Sequence, residues 1–126
     1  MRINMCTGVF DLFHEGHKNF IRFAGGDGVF LLVGVLSDWM TGIVKGAGRP
    51  VEVELVRAEK VNGFMMKLGI WGKAFVTDKL DFREYKGLVD YFVLGEGQKI
   101  KWDGPGGYAP RTAGVSTTEM VKGMKK

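Results

Sequence analysis

Apolar residues fall along this chain in short runs, and clusters of glycine separate the runs. Glycine clusters between apolar runs mark loops and tight turns. Gly25, Gly26 and Gly28 form one cluster, Gly42, Gly46 and Gly48 a second, and a third extends from Gly95 to Gly107. Read as punctuation, they divide the chain into alternating elements. Arg2 to Thr7 reads as a first strand. A helix is predicted from His17 to about Ala24, with Phe20, Ile21 and Phe23 or Ala24 on its apolar face. Val29 to Leu36 is a continuous apolar run, the pattern of a strand buried on both faces of a parallel sheet. Pro50 is placed to open a second helix reaching about Met66, in which Val53, Val56, Val61 and Phe64 approximate helical spacing. Ala74 to Thr77 and Tyr91 to Leu94 predict two short strands with a short helix, Phe82 to Leu88, between them. A last helix is expected to begin near Ser116.

Strands alternating with helices predict an α/β fold, a single Rossmann-like, doubly wound parallel sheet. Such sheets bind ligands beyond the carboxyl ends of their central strands, where the winding reverses. The loop after the first strand and the segment before the last helix are therefore the places to look for chemistry. No internal repeat or linker interrupts the pattern, and 126 residues correspond to one domain, 1–126.

Composition narrows the classes. An apolar fraction of 45% and a charged fraction of 25% suit a soluble globular core without staples. Cys6 stands alone, so it has no internal disulfide partner, and its apolar neighbours make it an inert buried thiol in a reducing, cytoplasmic setting. No apolar window approaches the ~18 residues that span a bilayer, and the Met-Arg-Ile-Asn start does not resemble a secretory leader. A net charge of +4 favours an anionic partner. Basic residues interleaved with aromatics, the mark of a nucleic-acid face, are not seen.

Both histidines of the protein lie in Gly8-Val-Phe-Asp-Leu-Phe-His-Glu-Gly-His17, just after the first strand and at the start of the first helix. Two imidazoles there can donate to phosphate oxygens, and a helix N-terminus adds free N–H groups and partial positive charge. The structural reading is that His14 caps a turn and His17 a helix; a metal pair lacks further histidine or cysteine to complete it. Attack on the α-phosphate of a nucleoside triphosphate fits this donor set, because that reaction needs positioned donors around charge that builds on phosphoryl oxygens. Asp11 is open to three roles: binding a Mg²⁺ that accompanies the triphosphate, orienting a histidine, or serving as a turn residue.

Arg111-Thr-Ala-Gly-Val-Ser-Thr-Thr-Glu119 is the second segment. Ser116 with Glu119 is a capping box that specifies a helix start. The same residues set three hydroxyls, Ser116, Thr117 and Thr118, beside one fixed cation, Arg111, and can cradle the outer phosphates.

These two segments resemble the cytidylyltransferase family, most closely its small glycerol-3-phosphate cytidylyltransferases. Lys45-Gly-Ala-Gly-Arg-Pro50 and Arg57-Ala-Glu59 resemble that family's basic loop and the arginine-bearing helix after it, so the likeness runs nearly the whole chain in order. The resemblance implies CMP transfer from CTP to a phosphorylated small alcohol, first of all sn-glycerol 3-phosphate, with Mg²⁺ brought by the CTP and a homodimer as the assembly. It implies that His14, His17 and Arg111 act at the reacting phosphates. Val9, Phe10, Arg57, Thr112, Gly114, Val115 and Ser116 to Thr118 would line the CTP, and Lys45, Arg49 and Asp11 the acceptor side. The bland alternatives are a solvated loop for Lys45 and Arg49, a surface ion pair with Glu54 or Glu59 for Arg57, and an N-cap for Asp38. Two departures stand out: Val9 replaces the family's usual threonine, and Gly95-Glu-Gly-Gln98 replaces an acidic pair followed by tryptophan. Lys79 and Lys86 are candidates for the family's acceptor lysine.

Overall fold

The structure, a computed structural model, describes residues 1–111. Five strands form one parallel sheet: β1 (Arg2–Gly8), β2 (Val29–Leu36), β3 (Gly72–Thr77), β4 (Tyr91–Leu94) and β5 (Gly106–Tyr108), in the order β3-β2-β1-β4-β5. The helices are α1 (Glu15–Ala24), α2 (Asp38–Lys45) and α3 (Glu54–Leu68), with one 3₁₀ turn at Arg83–Tyr85. The chain winds outward from β1 to β3 and then returns to the other side of β1 for β4. The winding therefore reverses between β1 and β4, as the alternating pattern predicted for a doubly wound sheet.

Alternation along the strands fills both faces. Cys6, Val33, Ala74 and Val93 face Ile21 and Ala24 of α1 and Ala58, Val61 and Met65 of α3. Met5 and Phe92 pack with Phe82 and Val89 on the opposite face. Cys6 is fully buried, and burial pushes its thiol far above the ordinary range, as an inert core thiol requires.

Four local expectations are corrected. α2 occupies a stretch read only as glycine punctuation: Ser37 caps it by accepting from Met40 N–H, and the chain passes through Gly42 before Gly46 ends it at φ 94°. α3 begins at Glu54, not at Pro50, because Val51 and Glu52 run first past Asp11 and give it their N–H groups. The helix expected over Phe82 to Leu88 shrinks to one 3₁₀ turn, pinned at its start by Asp81, which accepts from Arg83. β5 lies within the glycine-rich stretch. A Cβ on Gly106 would fall 2.6 Å from the Phe92 carbonyl oxygen, so glycine at that position lets this edge strand close on β4. The helix expected near Ser116 lies outside the described residues.

Candidate active site

A cavity of about 700 Å³ opens at the carboxyl ends of β1 and β4, at the point of reversal. Residues 7–10 with His14 and His17 form one wall, residues 95–100 the other, and Lys45, Arg49 and Arg111 border it.

The histidines are held by the backbone that carries them. His14 is the N-cap of α1, and its Nδ1 accepts from Gly16 N–H at 3.1 Å. His17 Nδ1 accepts from His14 N–H at 3.2 Å, completing a reciprocal cap. The two rings stack with centroids 3.7 Å apart, and Phe10 meets His17 edge-on at 5.4 Å. A nitrogen that accepts from an N–H carries no proton, so each neutral ring is the tautomer with its proton on Nε2. Capping and phosphate handling are thus compatible: Nδ1 does the first and Nε2–H is left for the second. Burial lowers the pKa of both rings, and the positive charges of His14 and Lys45 help bring His17 to about 3. Near neutral pH the site therefore presents two uncharged donors that hold their protons without titrating.

Behind this wall lie two buried ionic side chains. Arg57, fully buried, donates from Nη1 to the carbonyls of Val9 and Leu36, each at 2.7 Å, and from Nε to the carbonyl of Glu52 at 2.8 Å; its Nη2 meets Asp38 at 2.7 Å. Asp11, also fully buried, accepts from Val51 N–H at 2.7 Å and Glu52 N–H at 2.9 Å, and Arg49 Nε lies 3.4 Å away. Neither side chain lines the cavity. This corrects the contact expected of Arg57 with nucleotide and of Asp11 with acceptor, and it equally overturns the picture of Arg57 as a surface ion pair. Both anchor the loop after β1, where Phe10 and Leu12 hold positive φ values of 56° and 59° that only surrounding structure can enforce.

Val9, Phe10, His14, His17, Lys45, Arg49 and Arg111 all line the cavity. Thr112, Gly114, Val115, Ser116, Thr117 and Thr118 lie outside the described residues; the chain leading to them reaches the cavity at Arg111. Asp38 is the first residue of α2, with Ser37 as the cap, and holds Arg57. Lys79 pairs with Glu84, and Lys86 lies 3.9 Å from Asp103, both away from the cavity. Lys99, by contrast, does line the cavity, as does Gln98 beside it, which was noted only as a departure. Their position just after β4, at the reversal, is the signal that would have found both.

Cations dominate the lining, Lys45, Arg49, Lys99 and Arg111 against the single carboxylate of Glu96 among the described residues. That set fits polyphosphate. It does not fit a protein-held Mg²⁺, which takes oxygen ligands from carboxylates: Asp11 is committed to backbone N–H groups and Glu96 stands alone. No helix among the described residues is long and apolar enough to cross a membrane.

A parallel sheet that reverses at β1, with paired imidazoles and a cationic crevice at that point, defines a nucleotidyltransferase-type domain. Comparison with known proteins narrows this. No protein-family model matches. The chain is 32% identical over 138 residues to ethanolamine-phosphate cytidylyltransferase of Arabidopsis thaliana, a match covering 93% of this chain and 31% of that protein. It is 32% identical over 135 residues to the bifunctional protein HldE of Proteus mirabilis, covering 99% of this chain and 28% of that one. The chain thus spans less than a third of the length of these relatives. A lipopolysaccharide core biosynthesis protein from Thermoplasma volcanium shares the fold, with TM-score 0.67 and 21% identity over 89% of this chain and 98% of that one. Nearly the whole chain is thus similar to part of a cytidylyltransferase.

Proposed function

We infer that this domain transfers CMP from CTP to the phosphate of a small phosphorylated alcohol and releases pyrophosphate. One observation carries the reading: the reciprocal histidine cap leaves two neutral Nε2–H donors on a cationic cavity at the reversal of the sheet.

A phosphate oxygen of the acceptor attacks the α-phosphorus in line, a new P–O–P bridge forms, and the bond from the α-phosphorus to the bridging oxygen of pyrophosphate breaks. The acceptor phosphate is already an anion, so the step needs no general base. What the chain supplies is position and charge. His14 and His17 donate to oxygens on which charge grows, Arg111 steadies the departing phosphates, and Lys45 and Arg49 hold the acceptor phosphate against its repulsion from the triphosphate. Arg49 is itself oriented by Asp11. A Mg²⁺ brought with CTP would reduce the charge that these side chains must meet.

The acceptor is sn-glycerol 3-phosphate in the first reading, giving CDP-glycerol. Phosphoethanolamine is the second, favoured by the name of the plant relative and by Glu96, which could meet an ammonium group. Assembly as a cytoplasmic homodimer belongs to the same reading and is checked by sedimentation. The deciding experiment measures pyrophosphate release from CTP and from ATP with glycerol 3-phosphate, phosphoethanolamine, phosphocholine and a sugar phosphate. Turnover with CTP and one of these is expected. CTP binding without turnover on any acceptor would make the domain a nucleotide-binding module, and equal turnover with ATP would remove the assignment to CTP.

A further inference from the structure

β1 and β4 pair in parallel at Asn4 with Tyr91, Met5 with Phe92 and Cys6 with Val93, and the pairing stops there. Continuing the register sets Gly8 against Gly95, and a parallel ladder would then take the Gly95 N–H to the Thr7 carbonyl. A side chain intervenes instead. Gly95 N–H donates to Gln98 Oε1 at 2.9 Å, and Gln98 Nε2 donates to the Thr7 carbonyl at 2.7 Å. The Gln98 carboxamide is an extra rung, one amide wide, between a donor and an acceptor that the register would otherwise join directly. Both backbone groups stay satisfied while the strands part.

They part at the reversal of the sheet, where residues 7–10 and 95–100 become the facing walls of the cavity. Gly95 is shaped for this: a Cβ there would lie 3.2 Å from Gln98 Cδ, so the absence of a side chain lets the carboxamide fold back over it. The Thr7 hydroxyl, on the same cavity, is the one buried side-chain polar atom without a partner among the described residues. A buried hydroxyl left unpaired beside a crevice is a group that a ligand can satisfy.

We propose that Gln98 is a positioning residue that sets the width of the crevice and holds the 95–100 wall against the nucleotide; this rests on the nucleotide reading of the cavity. The task needs a donor and an acceptor on one side chain of this reach. Ionised glutamate has the reach but only acceptors, and it would set a charge against the Thr7 carbonyl. Protonated glutamate has one of each and restores the rung.

The test compares the full chain with its Gln98→Ala and Gln98→Glu variants at pH 8 and pH 5. Hydrogen exchange of the Gly95 amide reads the rung, and CTP titration calorimetry reads the crevice. In Gln98→Ala, Gly95 protection and CTP affinity each fall about tenfold at both pH values, the loss of one well-made hydrogen bond, while turnover at saturating CTP changes little. In Gln98→Glu both losses appear at pH 8 and largely recover at pH 5, since the facing carbonyl and partial burial raise the pKa of the new carboxyl. Glu96, Lys99 and Arg111 on the same wall, and His14, His17, Lys45 and Arg49 facing them, are common to all three proteins. The wild-type change between the two pH values is therefore subtracted. Should Gln98→Ala not fold, the pH contrast within Gln98→Glu decides alone. Unchanged Gly95 exchange in Gln98→Ala, or equal CTP affinity of Gln98→Glu at both pH values, overturns the proposal. If the wild type binds no CTP, the nucleotide reading fails, and Gly95 exchange by itself decides whether Gln98 is the rung.

Discussion

On the histidine wall, residues 8–17 are held by buried ionic side chains whose partners lie far away in sequence: Arg57 reaches the Val9 carbonyl across 48 positions, and Asp11 reaches Glu52 across 41. The facing wall, residues 95–100, is held by one of its own side chains, through Gln98, and continues into an edge strand of three residues rich in glycine. The difference follows from the work each wall does. Donors at a reacting phosphate lose their value when displaced by fractions of an ångström, so they sit on a strand end and a helix start that cannot shift separately. A wall that meets the rest of the ligand tolerates a softer mount. The departures from the family pattern at 95–98 fall on that wall.

This contrast can be broken from either side. The largest effect is expected from Arg57→Met, which takes a donor from three backbone carbonyls, of which Leu36 alone keeps a second, the Thr41 hydroxyl. Breaking a buried ionic network of this kind costs about 3–5 kcal/mol, read as a lower urea midpoint, and turnover is lost with the anchored loop. His17→Asn separates the two duties of the ring. The asparagine oxygen stands in for Nδ1 and keeps the cap, but nothing replaces Nε2–H, so turnover should fall about a hundredfold with little change in stability. His17→Gln reverses the trade, restoring a donor and losing the cap. Equal damage to stability and turnover in both variants would show that the ring has only a structural task. Asp11→Asn comes next: one of its two backbone donors would face an amide NH₂, at a cost of about 2 kcal/mol, and the acceptor KM should rise as Arg49 loses its orientation.

The smallest effect is a pH dependence. With His17 held at about 3 in the folded protein, against an ordinary value near 6.5, the unfolded chain binds the extra proton between those limits. The His17 contribution is therefore complete above about pH 6.5 and is lost as the pH falls toward 3. Urea unfolding at pH 7 and pH 5 should show this decline in the wild type and a shallower one in His17→Asn. Asp81, held near 2 by Arg83, loses its contribution as the pH falls from its ordinary value of 3.8 toward 2, below the two pH values compared.

The sequence alone determined four of the five strands and the place of the paired histidines beside them. β2 and β4 were legible to the residue, because strands buried on both faces must be continuously apolar. The placement of His14 and His17 between β1 and α1 followed from local patterning in the same way. The tertiary structure decided what depends on distant partners. The glycines of α2 and β5 conceal their elements, since Gly42 is tolerated by a helix capped at Ser37 and β5 exists only because β4 receives its carbonyl and N–H groups. Arg57 and Asp11 carry charges that a linear reading sends to ligands, yet burial turns them onto the backbone. Gln98 looks like any polar loop residue until the register of β1 against β4 shows which hydrogen bond it has replaced. Local periodicity fixes where strands and helices form, because burial repeats with the geometry of the chain. The partner of a buried polar group is fixed only when the whole fold brings the two together.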